Sequence, residues 1–154
     1  MTSRRMQFGI ALALCSCLFL PACRKEGGGG GGGGGGKMAH LTVTLSADAN
    51  GNCVQKLNGV STALVLLYGG DTVTFQTENS ASFALQFPPP SAGSCNSPFR
   101  DASGNCQSSF NNSNPTSGPA VGPSSTQFSY GTLSINGATC NLNSGAQPLG
   151  MRMR

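Results

Sequence analysis

The chain has 154 residues, enough for one ordinary domain. Charged residues make up only 9%, tryptophan is absent and glycine is abundant, a composition that favours a β-rich domain over a helical one. The formal net charge of +4 does not predict a nucleic-acid interface. From Met38 onward four basic residues balance four acidic ones, so this part is neutral and no nucleic-acid partner is expected.

The first 22 residues have the three-part pattern of a secretory signal peptide. Arg4 and Arg5 precede an apolar run over residues 8–20, and small residues follow it. A helix over that run would be about 20 Å long, too short to cross a hydrocarbon core of about 30 Å. We therefore expect a cleaved signal peptide over residues 1–22 rather than a permanent transmembrane anchor.

The signal ends in Leu20-Pro21-Ala22-Cys23, which resembles the lipobox of bacterial lipoproteins. The resemblance implies cleavage before Cys23 and attachment of diacylglycerol and an N-acyl chain to that cysteine; no other cofactor is expected. Two or three acyl chains suffice for stable membrane anchoring. Two alternatives remain open: lipidation at Cys17, and an ordinary cleaved signal that happens to contain a cysteine.

Residues 23–37 would be the lipidated cysteine and a tether, which includes ten consecutive glycines over residues 27–36. A glycine run buries no apolar area and loses much backbone entropy on ordering, so we expect a flexible tether with a span of about 20 Å. The lipobox resemblance implies a lipid-anchored protein of the cell envelope. Arg24 differs from the aspartate associated with inner-membrane retention, so we expect the outer membrane, with the domain in the periplasm or facing the cell surface.

Short strands are predicted along the rest of the chain. Apolar residues alternate with polar ones in most of these segments, which is the pattern of a half-buried strand. A continuous apolar run over residues 62–68 predicts a central strand, and a change of apolar parity near Gly131 predicts a bulge. Asn136-Gly137 predicts a hairpin turn. The predicted strands cover residues 41–45, 62–68, 73–75, 82–87, 127–135, 138–142 and 149–153.

Seven or eight short strands and no convincing helix indicate a single all-β sandwich over residues 38–154. A loop insertion over residues 88–126 interrupts it, rich in proline, serine and asparagine and holding seven of the nine prolines. Such a loop is either structural or a contact surface for a partner. Phe99 and Phe110 could hold it against the sandwich.

Four cysteines lie in this domain, and an even number in an exported protein usually means disulfides. Three pairings are possible. We favour Cys95–Cys106, which closes a short loop, and Cys53–Cys140, which joins an early hairpin to a late one. A metal site built from these cysteines is disfavoured because no Cys-x-x-Cys pair is present.

Three segments together resemble the cupredoxin family: residues 70–75 (GDTVTF), 83–87 (FALQF) and 128–131 (FSYG). The resemblance covers about residues 41–154 and implies a Greek-key β-sandwich. In that family the first of these strands precedes a copper-binding histidine, and the last leads to a cysteine, a histidine and a methionine.

The copper ligands of that family have no counterparts in this chain. Phe83 stands where the first histidine is expected, Gly131 and Thr132 stand where the thiolate would be, and the only histidine is His40. A type-1 copper site needs two imidazoles and a thiolate. We therefore expect a cupredoxin-like domain without a metal site. Met151, within Leu-Gly-Met, echoes the family's methionine.

The function expected from these features is a non-enzymatic binding or structural role at the cell envelope, with the membrane and an unidentified envelope protein or ligand as partners. No catalytic residue is assigned. Alternatives are binding of a small ligand or carbohydrate, handling of Cu(I) by Met151 and Met153, and an enzyme that uses carboxylates such as Asp71 or Glu78. The absence of tryptophan disfavours a sugar-binding aromatic platform.

Overall fold

The computed structural model describes residues 37–89, 91, 94–143 and 147–154. The predicted signal peptide, Cys23 and the glycine run lie outside the described residues. The described chain is all-β, as predicted, and none of its helices has the length and apolar character needed to span a membrane. It contains one 3₁₀ turn, Glu78–Ser80, and eleven strands: β1 His40–Ala47, β2 Cys53–Leu57, β3 Val60–Ser61, β4 Leu64–Leu67, β5 Thr72–Thr77, β6 Phe83–Gln86, β7 Ser109–Asn111, β8 Gln127–Ser129, β9 Thr132–Ile135, β10 Ala138–Thr139 and β11 Gly150–Met153.

Three sheets form a sandwich-like arrangement. The first has the order β3-β2-β1-β5, with β1 antiparallel to β2 and parallel to β5. The second has the order β10-β9-β6-β7, and the third the order β4-β11-β8, in which β11 is parallel to β4. Residues from all three sheets, such as Val43, Leu85 and Met151, lie in one buried core. The alternation of β1, β5 and β6 predicted the buried positions correctly, because each of these strands has one face toward this core.

The apolar run over residues 62–68 is not a central strand. Its regular part, β4, is at the edge of the third sheet, and only Val65 and Leu67 are buried, whereas Leu66 is 42% exposed. The central strand of that sheet is β11, where Met151 and Met153 are buried and Arg152 and Arg154 are exposed. The continuous apolar sequence therefore does not reflect burial of both faces.

The predicted discontinuity near Gly131 is present, but it is not a bulge within one strand. The chain stops pairing with β11 after β8 and begins pairing with β6 in β9, so the run 127–135 belongs to two sheets. Tyr130 N still donates to Leu149 O on the β11 side, whereas Gly131 N donates to Gln86 O on the β6 side. The apolar parity changes because the pairing partner changes at this point.

The insertion over residues 88–126 is part of the fold rather than a plain loop. It contains β7, which pairs with β6. Residues 115–120 also run beside β5: Phe75 N donates to Pro115 O, and Ser117 N donates to Val73 O. The insertion thereby covers the backbone groups at the free edge of the first sheet.

An aromatic cluster attaches the insertion to the core. Phe99 and Phe110 are 0% and 1% exposed, as expected if they hold the insertion in place. Phe110 packs on Phe75 with ring centroids 4.8 Å apart, and Phe99 meets Phe87 edge to face at 6.2 Å. Such aromatic pairs contribute about 0.5–1.5 kcal/mol beyond their buried area.

Both favoured disulfides are present, Cys53–Cys140 with a Cα–Cα distance of 5.1 Å and Cys95–Cys106 with one of 5.6 Å. The first joins β2 to the residue after β10, and the second closes the first part of the insertion. All four cysteines of the domain are therefore paired, in the arrangement expected of an exported protein.

Candidate functional site: a polar cleft at one end of the sandwich

The positions where the cupredoxin resemblance would place copper ligands are not gathered into a site. Phe83 is buried at the first residue of β6 and pairs with Ile135, whereas Gly131 is hydrogen-bonded to Gln86 at the last residue of that strand. A Cβ atom at Gly131 would lie 3.0 Å from the Pro88 nitrogen, so a cysteine there would crowd the backbone. Within the described residues, no group of three or more His, Cys, Asp or Glu side chains could hold a metal ion.

His40 is engaged with threonines. Its Nδ1 lies 2.8 Å from Thr72 Oγ1, and its Nε2 lies 2.9 Å from Thr74 Oγ1. Both ring nitrogens thus have hydroxyl partners on the neighbouring strand β5. These two hydrogen bonds hold the imidazole against β5. Among the described residues, no hydrogen bond or ion pair joins His40 to a cysteine or a carboxylate.

The two candidate thioether ligands face the core. Met151 is 0% exposed and Met153 is 2% exposed, on the same side of β11. Their sulfur atoms therefore belong to the buried cluster rather than to an open surface. This burial favours a packing role over Cu(I) handling.

The two carboxylates considered for catalysis have structural partners. Asp71 is 2% exposed, and its Oδ1 and Oδ2 accept hydrogen bonds of 2.8 Å from the backbone N–H groups of Ala39 and Tyr68. Glu78 forms an ion pair with Lys56 at 2.5 Å. Asp71 closes the turn that leads into β5, and Glu78 lies at the far end of that strand.

Two turns of matching sequence were not predicted. Residues 48–53 read DANGNC and residues 101–106 read DASGNC, and each hexapeptide ends at a disulfide cysteine. In both, the aspartate Oδ1 accepts two backbone N–H bonds and its Oδ2 accepts one from an asparagine side chain. A search for internal similarity at the hexapeptide level would have found them.

These hydrogen bonds act on the aspartate pKa values. The Asn52 side chain, followed by the Asn52 backbone, lowers the pKa of the Asp48 carboxyl below its usual value. The Asn105 side chain and backbone do the same to the pKa of Asp101. Donors that stabilise the charged form favour ionisation, so the hydrogen bonds of both turns favour charged aspartates.

A cleft of about 750 Å³ lies where the first sheet ends, next to the Asp48 turn. Three segments that are distant in sequence form its walls: the end of β1 with its turn, the 3₁₀ turn with the residues after it, and the β9–β10 hairpin. The lining residues are Leu45, Ser46, Ala47, Gly51, Glu78, Asn79, Ser80, Ala81, Ser82, Ile135, Asn136, Ala138, Thr139 and Cys140.

Covalent and hydrogen-bonded links hold these walls together. The Cys53–Cys140 disulfide joins the first wall to the hairpin, and Cys53 N donates to Asn141 O at 2.8 Å. Asn136 N donates to Ser82 O, and Asn136 Oδ1 accepts from Ser82 N, which connects the hairpin to the residues after the 3₁₀ turn. The cleft is therefore preformed by cross-links between its walls.

The cleft rim includes two consecutive residues in the left-handed region. Asn79 has φ 56° and Ser80 has φ 55°. Asparagine tolerates this region, but for serine it costs about 1–2 kcal/mol. Strained backbone of this kind is found preferentially at functional sites, and both Asn79 and Ser80 line the cleft.

The chemistry of the cleft is neutral and hydrogen-bonding. Hydroxyl and amide groups come from Ser46, Ser80, Asn79, Asn136 and Thr139, with apolar surface from Leu45 and Ile135. The carboxylate among the lining residues, Glu78, is neutralised by Lys56. Such a cleft can bind a polar uncharged molecule by donating and accepting hydrogen bonds.

The chain was also compared with known proteins. No protein-family model, no curated protein and no solved structure matches it.

Proposed function

We propose that the chain is a lipid-anchored lipoprotein of the cell envelope whose cupredoxin-like domain, lacking copper ligands, has a non-enzymatic binding role. Support for export comes from the two disulfides, which pair every cysteine between Met38 and Arg154. Support for the anchor comes from the signal pattern and lipobox that end at Cys23. The outer membrane is the proposed location, with the domain in the periplasm or at the cell surface.

The anchor is tested by fractionation of cells that express the full chain. We expect wild-type protein in the membrane fraction and the Cys23→Ser variant in the soluble fraction. The Cys17→Ser variant is the matched control, and it should remain with the membrane. Release of Cys17→Ser but not Cys23→Ser would move the anchor to Cys17, and membrane retention of both variants would contradict a lipid anchor at either cysteine.

We propose that the cleft is the binding site of this domain. The observation that carries this proposal is the cross-linked arrangement of three chain segments around about 750 Å³ of space lined by neutral hydrogen-bonding groups. Preorganised walls lower the entropy cost of binding. A small neutral, hydroxyl-rich molecule such as a carbohydrate matches this lining, although the cleft offers no aromatic platform.

The binding site is tested with the full chain in detergent against a panel of neutral glycans and small polyols, read out by thermal shift and titration calorimetry. Ala138→Trp places a bulky side chain at the cleft wall and should abolish binding of any hit. Ala102→Trp, in the exposed turn of the insertion, is the matched control and should bind as the wild type does. Equal binding by both variants would place the ligand elsewhere, and a panel without any hit would contradict a glycan-binding role.

A further inference from the structure

The outer face of the third sheet combines apolar groups with guanidinium groups. Leu66 and Arg152 are register partners in the parallel pair β4–β11, and both are exposed. Two residues further along each strand direction, Arg154 Nη1 donates to the Tyr68 hydroxyl at 3.3 Å. Leu66 is 42% exposed and Tyr68 49% exposed. We call Leu66, Tyr68, Arg152 and Arg154 the docking face.

Two further exposed apolar side chains lie at the end of this face. Met38, 78% exposed, packs over Gly70 in the turn that follows Tyr68. The same glycine donates its N–H to Ala120 O, which brings the neighbouring Val121, 49% exposed, to this end. Four of the five large hydrophobic side chains that are exposed among the described residues therefore gather here, a clustering that scattered surface residues do not show.

The charge on this face is positive. Arg152 and Arg154 are exposed on it, while the side-chain carboxylates of the described residues are engaged elsewhere. Asp71 is buried in its turn, and Glu78 is ion-paired with Lys56. Asp48 and Asp101 accept hydrogen bonds from their own turns.

We propose that the docking face lies against the anionic bilayer to which the same chain is anchored. This inference rests on the proposed lipid anchor at Cys23. The described chain begins at Lys37, next to Met38 at this end of the domain. If residues 24–37 form the flexible tether that the glycine run predicts, their root-mean-square reach from Cys23 is about 20 Å. A tether of this length gives the docking face and the membrane an effective concentration in the millimolar range. A weak contact therefore suffices to hold the face against the membrane.

The chemistry of the face matches a lipid headgroup layer. Tyrosine and other amphipathic rings favour the membrane–water interface, and apolar side chains such as Met38 and Leu66 can enter its outer part. Arginine forms paired hydrogen bonds with phosphate, and each basic residue near an anionic surface strengthens binding about fivefold. The hydrogen bond between Arg154 and the Tyr68 hydroxyl places a phosphate-binding group directly beside an interfacial aromatic ring.

The absence of tryptophan makes this inference directly measurable. The Tyr68→Trp variant has a single tryptophan on the docking face, and Ala102→Trp, in the insertion, is the matched control. Each full chain is reconstituted into vesicles of phosphatidylcholine with about 30% phosphatidylglycerol, with brominated lipid as quencher. We expect at least twofold stronger quenching in Tyr68→Trp than in Ala102→Trp. Adding Arg152→Gln and Arg154→Gln to Tyr68→Trp should remove most of this difference in quenching. Replacing the anionic vesicles with vesicles of pure phosphatidylcholine should do the same.

Flotation of the same vesicles separates this inference from the proposed anchor. A chain that floats but is quenched equally at both positions overturns the docking face and leaves the anchor intact. A chain that does not float overturns the anchor, and titration of the unanchored Tyr68→Trp chain with anionic vesicles then decides the docking face by the presence or absence of a blue shift. Quenching that is unchanged by the two arginine substitutions would also overturn the proposed recognition of anionic lipid.

Discussion

The Tyr130 hydroxyl donates a 2.8 Å hydrogen bond to Gln55 Oε1 in the interior of the domain. Gln55 in turn donates through Nε2 to Ala63 O at 2.7 Å and to Gly150 O at 3.1 Å. Gln55 belongs to the first sheet and Gly150 to the third, while Tyr130 lies where the chain passes from β8 to β9. One buried polar pair therefore joins the sheets at their junction, and burial raises the pKa of the Tyr130 phenol, which keeps it a donor.

Removing the Tyr130 hydroxyl should destabilise the domain. Tyr130→Phe leaves Gln55 Oε1 buried without a donor, and we expect a loss of about 1–3 kcal/mol in the free energy of unfolding. The measurement is denaturant unfolding followed by circular dichroism. Tyr68→Phe is the matched control and should change stability by less than about 0.5 kcal/mol, because Tyr68 is exposed. If the two variants lost the same stability, the buried pair would not be a stabilising link.

The matching turns of Asp48 and Asp101 should make stability depend on acid pH. Both folded-state pKa values are lowered from the ordinary 3.8, so the folded state binds these protons less readily than the unfolded state. Their contribution is fully present above that value and is lost as the pH falls through the lower folded-state values. We expect the melting temperature of the wild type to fall more steeply as the pH drops below about 4 than that of the Asp48→Asn, Asp101→Asn double variant. Parallel melting curves for the two proteins over that range would contradict this role.

Gly118 should not tolerate a side chain. A Cβ atom there would lie 1.7 Å from the Arg100 carbonyl oxygen, a backbone atom that cannot move aside alone. We expect Gly118→Ala to lower the free energy of unfolding by about 1–3 kcal/mol, because the insertion must shift from its place beside β5. Gly69→Ala, which meets nothing within 4 Å, is the control and should unfold at the wild-type denaturant concentration. Comparable destabilisation by both would contradict the close packing of the insertion.

The two disulfides should contribute unequally to stability and to the cleft. Cys53–Cys140 spans 87 residues of sequence and Cys95–Cys106 spans 11, so removing the longer link should cost more stability, within about 2–4 kcal/mol for each. The Cys53→Ala, Cys140→Ala variant should also show faster amide hydrogen exchange at Thr139 and Gly51, on both walls of the cleft. The Cys95→Ala, Cys106→Ala variant should leave those amides unchanged. Equal exchange in both variants would show that the disulfide does not hold the cleft.

Much of the fold could be predicted from local patterns. The alternation of Val43 with Leu45 and of Val73 with Phe75 identified β1 and β5, because a strand with one buried face repeats every two residues. Asn136-Gly137 predicted a two-residue turn, and both residues have positive φ values, 52° and 78°, as such a turn requires. The disulfide pairing followed from loop lengths and the position of the predicted hairpins.

What could not be predicted depends on contacts between distant segments. The three residues of β7 have no pattern of their own, and they form a strand because β6 offers them an unpaired edge. At Tyr130 and Gly131 the change of apolar parity predicts a bulge, because parity alone does not reveal which strand is the pairing partner. The cleft could not be predicted, since its three walls are distant from one another in the sequence and only the folded sheets bring them together.

The intact mass of the chain extracted from the membrane fraction tests most directly whether it is a lipid-anchored envelope protein with a doubly disulfide-bonded domain. We predict a mass that begins at Cys23, exceeds the polypeptide by that of a diacylglycerol and an N-acyl chain, and rises by four hydrogens on reduction, two for each disulfide. A chain that begins elsewhere, or that begins at Cys23 without acyl groups, would contradict the anchor. A mass unchanged by reduction would contradict the disulfide-bonded domain.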